Sequence, residues 1–141
     1  MGGISTMRLE FDTNIENVDV LTETTNEVLA ELGCPKKATV QIDIALDELF
    51  SNISHYAYGG ALGKAYVSIE ALPNNEGVSI TLEDEGVPFD PLAHEEPDVT
   101  LGVEERSIGG LGIFLVRRTM DDMRYEYADG RNKLTIVKRF K

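Results

Sequence analysis

The stretch Asp47-Glu48-Leu49-Phe50-Ser51-Asn52 decides how the rest of the chain reads, because it sets a carboxylate and a carboxamide four residues apart inside an amphipathic pattern. Ile42, Leu46, Leu49, Ile53 and Ala57 recur at the period of one helical face. Residues at i and i+4 share a face, so Glu48 and Asn52, with His55 beyond them, form a polar stripe beside that apolar one. A carboxylate can take up a proton, and an amide oxygen can ligate a hard cation such as Mg²⁺. Polar stripes on helices are most often only solvated, so this one needs support from elsewhere in the chain.

Working outward, Met7 to Phe11 alternates as a first strand, and Asn14 reads as the N-cap of a helix carrying Ile15, Val18, Leu21, Val28, Leu29 and Leu32. Gly33 ends that helix and Pro35 opens the next, which runs to Tyr58 and is closed by Gly59-Gly60. Strands over Ala65–Leu72 and Val78–Glu83 follow, joined by the turn-forming Pro73-Asn74-Asn75-Glu76-Gly77. Asp84 to Gly110 then has little periodicity and much Gly, Pro and acid, the mark of a functional lid or a disordered loop. A third helix from Gly110 carries Ile113, Phe114, Val116 and Met120, and Met123–Ala128 and Leu134–Phe140 make a hairpin around Asp129-Gly130. The order β-α-α-β-β-loop-α-β-β predicts an α+β fold: a two-layer α/β sandwich with three helices on one face of a mostly antiparallel sheet. A single domain is expected over residues 7–141, behind a disordered leader of residues 1–6.

Composition narrows the function classes. The chain has 141 residues, 42% of them hydrophobic and 27% charged, as in an ordinary globular domain. No apolar run is long enough to span a membrane, and the start lacks a signal-peptide pattern, so a cytoplasmic protein is expected. A net charge of −12 argues against a nucleic-acid surface. Cys34 is the only cysteine, which excludes a disulfide within the chain and a cysteine metal cluster. An acidic chain that handles an anionic ligand must do so with local donors and a cation.

Two further pieces join Glu48-x-x-x-Asn52. Asp84-Glu85-Gly86-Val87-Pro88-Phe89-Asp90 follows a strand; Asp84 would leave the sheet as an acceptor beside an apolar pocket, and Gly86 permits close backbone approach or positive φ. Arg106-Ser107-Ile108-Gly109-Gly110-Leu111-Gly112 is a glycine-rich loop entering a helix, where free amides and the helix dipole favour phosphate. Taken singly, the second piece is a turn and the third a flexible joint. Neither a G-x-G-x-x-G fingerprint nor a P-loop is present. Their order, and the long loop between the last two, is what is specific.

In these three pieces, from about Met7 to Phe140, the chain resembles the GHKL (histidine-kinase-like) ATPase superfamily. Within it the resemblance is to the small anti-sigma-factor serine/threonine kinases of bacterial partner-switching systems. Glu48–Ile53 looks like the family's N box, Asp84-x-Gly86-x-Pro88-Phe89 like its G1 box and Gly109–Ile113 like its G2 box. The resemblance implies a Bergerat-type ATP-binding fold, with ATP and Mg²⁺ as cofactors. It implies Glu48 as the general base, Asn52 as the Mg²⁺ ligand, and Asp84 as acceptor of the adenine amino group with Gly86 letting the base sit close. Gly109, Gly110, Leu111 and Gly112 would cradle the phosphates, Arg106 would meet the terminal phosphate and Thr135 would line the adenine pocket. The expected activity is transfer of the ATP γ-phosphate to a serine or threonine of a STAS-type antagonist protein. A sigma factor is a second expected partner, and a homodimer is in keeping with such relatives. The alternative is a non-catalytic, nucleotide-dependent partner-binding module. The chain departs from the pattern at Tyr56, where many relatives carry histidine; His55 lies one residue earlier.

Overall fold

Where the chain alternates it forms strands, and where apolar residues recur every three or four it forms helices. The structure, a computed structural model, describes residues 6–93 and 110–141. Strand β1 (Thr6–Asp12) leads into helices α1 (Asn17–Leu32) and α2 (Lys36–Asn52), and α2 continues as a π turn (Ile53–Ala57). The hairpin of β2 (Lys64–Ala71) and β3 (Gly77–Asp84) follows, then a short 3-10 turn (Pro91–Ala93). Helix α3 (Gly110–Thr119) and the hairpin of β4 (Asp122–Ala128) and β5 (Arg131–Arg139) complete the order.

The strands lie in the order β1-β2-β3-β5-β4, and every neighbouring pair is antiparallel. Alternation sends Val67, Ile69, Ile80, Leu82, Leu134 and Ile136 to one face. There they meet Leu21 and Leu29 of α1, Ile42, Leu46 and Phe50 of α2, and Val116 of α3 in one core. Burying each such side chain contributes about 1.5–3 kcal/mol, which is what holds both layers together. The opposite sheet face is polar. On it Tyr66 lies under Arg131 at 4.2 Å and Arg8 at 5.1 Å, and both arginines reach Glu83. The expected α+β sandwich is the fold observed.

Local chemistry shifts some boundaries. Asn14 does not cap α1: its Oδ1 accepts the Glu16 amide at 2.9 Å while its own amide donates to Asp12 Oδ1 at 3.0 Å. Those bonds use Asn14 in a turn ahead of the helix, which begins at Asn17 without a side-chain cap. Gly33 ends α1 as expected, in the left-handed conformation at φ 78°. The second helix is not α-helical to Tyr58; it widens after Asn52 into the π turn. Strand β1 starts at Thr6, a residue earlier than the expected domain start, and β5 starts at Arg131 rather than Leu134. Residues 1–5 of the expected leader and most of the expected lid lie outside the described residues.

Phe50 is wholly buried and meets Phe11 edge-on, with centroids 6.1 Å apart, tying α2 to the first strand. Phe50→Ala is therefore expected to lower stability by about 3–5 kcal/mol, read as a lower midpoint of urea unfolding. A loss below about 1 kcal/mol would mean that α2 is anchored elsewhere.

Candidate functional site

Asp84 is the last residue of β3 and is buried, with 5% of its surface exposed. A carboxylate in that position needs donors, and two reach it. Asn132 Nδ2 and the Gly86 amide each donate to Oδ1 at 2.9 Å. Oδ2 receives neither bond, and Asp84 lines a pocket of about 140 Å³. Burial pushes the Asp84 carboxyl above the usual aspartate range, while the Asn132 and Gly86 bonds pull it back. The pocket wall is otherwise mainly apolar, from Leu49, Ile53, Leu82, Val87, Phe89 and Leu134. An apolar cavity of about 150 Å³ accepts an aromatic ring, so the dimensions suit a planar base. A carboxylate at its end suits a ligand amino group.

Asn132 organises this end of the pocket. Its Nδ2 also donates to the Val87 carbonyl at 2.8 Å, and its Oδ1 accepts from the Phe89 amide at 3.0 Å and from the Tyr125 hydroxyl. Two donors and two acceptors are thus used, which fixes the amide's orientation and ties residues 87–89 to the sheet. Sequence reading missed Asn132. The available signal was parity: Leu134 and Ile136 point to the core, so Asn132, two residues before Leu134, must point inward as well.

The same parity removes Thr135 from the site. Thr135 Oγ1 bonds Thr81 Oγ1 at 2.8 Å on the sheet face that carries no helix, and Thr135 does not line the pocket. Gly86 serves through close approach, not positive φ, since a Cβ there would lie 2.0 Å from the Ala57 carbonyl oxygen. The π turn turns that carbonyl toward the loop, where it accepts the Val87 amide at 3.1 Å. Tyr58 braces the other side, accepting the Glu85 amide at 2.7 Å and donating to the Lys64 carbonyl.

Asn52 lines the pocket one helical turn after Glu48, near enough for its amide to act on the Glu48 carboxyl, so the two expected residues stand together. Burial pushes the half-buried Glu48 carboxyl up, the neighbouring Asn52 amide opposes this, and the nearby Asp47 charge adds to it. Gly112, in the first turn of α3, sits directly against the Glu48 carboxylate. Gly110 and Leu111 open the same helix, whose first amides have no partner within it. Arg106 and Gly109 lie outside the described residues. His55 leaves the expected polar stripe: it is exposed, with Nδ1 2.8 Å from the Ser51 carbonyl oxygen, and Tyr56 lines the pocket instead. Among the described residues no three acidic, histidine or cysteine side chains gather as a metal site. No helix there is long and apolar enough to cross a membrane.

The pH dependence of Asp84 can be signed. Burial holds its folded-state pKa above that of an ordinary aspartate, so the folded chain binds this proton more tightly than the unfolded chain. Stability from this group is full at low pH and falls as pH rises through the raised value. Asp84→Asn, which cannot ionise, is expected to melt no lower than the wild type at pH 7, with any advantage vanishing near pH 3. Its affinity for an adenine nucleotide should fall about ten- to a hundredfold, measured by calorimetry. Unchanged affinity would remove Asp84 from the site.

The chain matches the model of the histidine kinase-like ATPase domain over residues 11–138. It is 27% identical over 107 residues to a serine-protein kinase RsbW of Listeria monocytogenes, covering 73% of this chain and 68% of the relative. Its identity with the serine/threonine-protein kinase BtrW of Bordetella bronchiseptica is 26% over 96 residues, covering 68% and 67%. The crystal structure of the RsbU and RsbW domains of a Mycobacterium tuberculosis protein superposes with a TM-score of 0.66 at 18% identity, which is a likeness of fold. That match covers 96% of this chain but only 32% of the other. With a family match running over nearly its whole length, on the fold and in the order of motifs described above, the chain belongs to the histidine kinase-like ATPase domain family.

Proposed function

We propose that this chain binds ATP and transfers its γ-phosphate to a serine or threonine hydroxyl of a partner protein of the STAS type. The observation that carries the reading is Asn52, which lines the pocket ending at Asp84 and stands one helical turn from Glu48. Base recognition and a proton acceptor are thereby joined along one cleft. The kinase names of the RsbW and BtrW relatives support the same reading.

The roles follow from the chemistry of each group. Asp84 accepts from the amino group of the base, with Asn132 holding it in place. The apolar walls exclude water around the ring. The first amides of α3 face the phosphate end and stabilise negative charge. Glu48, whose carboxyl is raised by burial, takes the proton from the attacking hydroxyl. The hydroxyl oxygen then bonds to the γ-phosphorus as the bond to the β–γ bridging oxygen breaks, and ADP carries away the electron pair.

A Mg²⁺, when bound, would supply neutralisation of phosphate charge. Such an ion takes few protein ligands and completes its shell from phosphate and water, so the oxygen of Asn52 beside Glu48 fits it. This makes Asn52 the residue that would hold it. A sigma factor as the ultimate target belongs to the same reading.

The test is transfer of label from γ-labelled ATP with Mg²⁺ to the STAS-type protein encoded nearest this one. Glu48→Gln is expected to slow labelling by about 10²–10⁴-fold while ATP affinity changes only a few-fold. Binding of ATP without any label on the partner would move the chain to the nucleotide-dependent binding module. Loss of ATP binding in the variant would make Glu48 structural.

A further inference from the structure

Two glycines in the site are pressed by neighbours, and the neighbours differ in kind. A Cβ on Gly86 would meet backbone, the Ala57 carbonyl oxygen at 2.0 Å and its carbon at 2.6 Å. The nearest atoms that a Cβ on Gly112 would meet are a side-chain end: Glu48 Oε1 at 2.0 Å, Cδ at 2.1 Å and Oε2 at 2.6 Å. Backbone cannot step aside, but a carboxylate can rotate.

We infer that Gly112 is a positioning residue for Glu48: the side chain missing from the first turn of α3 leaves the space that holds the carboxylate. This goes beyond a phosphate-cradling role for the glycine. It deepens the kinase reading, on which the activity part of its test rests.

The strain from an added methyl has one place to go. Helix α3 is pinned to the core by Ile113 and Val116, 8% and 1% exposed. Helix α2 is pinned by Leu49 and Phe50, 3% and 0% exposed, immediately after Glu48. With both backbones fixed, the carboxylate must swing away from α3. A general base displaced by an ångström can cost about a hundredfold in rate.

A thermal double-mutant cycle tests this without nucleotide. In a Glu48→Ala background, Gly112→Ala should raise the melting temperature by a few degrees, as alanine does in a helix. In the Glu48 background the same change should give no rise, or a fall. Equal shifts in both backgrounds would overturn the inference. If Gly112→Ala alone fails to fold, recovery in the double variant counts for it and continued failure against it.

The activity part uses label transfer. Glu48→Asp shortens the acid by one methylene and should be slower than the wild type. Combined with Gly112→Ala, it should be faster than Gly112→Ala alone, because the shorter side chain makes room for the methyl. A combined loss equal to the product of the single losses would overturn the inference. A wild type that transfers no label would instead sink the kinase reading, and the melting cycle would still decide the role of Gly112.

Discussion

A carboxylate placed at the buried end of a strand costs stability unless donors surround it, and the arrangement around Asp84 follows from that requirement. Asn132 and the Gly86 amide meet one of its oxygens. Satisfying Asn132 in turn draws in the Val87 carbonyl, the Phe89 amide and the Tyr125 hydroxyl. The loop after β3, the inner face of β5 and a tyrosine of β4 are thus fixed by one polar network. The apolar wall of the pocket is a by-product of that network, since Val87 and Phe89 are held in place through their backbone atoms. Partly satisfied, such a network would be worse than an apolar core, so its members stand or fall together.

The other end of the cleft is organised by packing. Glu48 and Asn52 share a helical face, and their height above the sheet is set by Leu46, Leu49 and Phe50 beneath them. Helix α3 approaches closely because its first turn carries glycine at 112. The chain as a whole is strongly acidic, at −12. Attraction for an anion would therefore have to come from local donors and a cation over the few ångströms where they act, and not from the field of the whole protein.

What could be read from the chain, and what could not, divides along the range of the interactions. Helix α2 and its Glu48–Asn52 pair were legible because a period and a spacing lie within a dozen residues. The hairpins were legible from their turn residues, and Asp84 and Gly86 from their place after a strand. Parity could have turned Asn132 inward, but its role could not be read, because it depends on β3 pairing with β5, a contact across 48 positions that no local pattern reveals. Thr135 was placed at the pocket by resemblance alone; alternation with the inward Leu134 and Ile136 turns it to the other face, where it bonds Thr81. Asn14 looked like a cap because asparagine suits caps and tight turns alike, and here the neighbouring Asp12 and Glu16 decided for the turn.

Asp84 and Asn132 are register partners across β3 and β5. A slip of one residue in β5 would bring Arg131 or Lys133 opposite Asp84, and would turn the inward row of Asn132, Leu134 and Ile136 out to solvent. The pocket therefore exists in only one alignment of these strands. A ligand that binds through Asp84 stabilises that alignment alone, by mass action, against every shifted pairing the hairpin could adopt. Occupancy of the site is in this sense a proofreading of the sheet: a chain able to hold the ligand is a chain whose last strand has closed correctly.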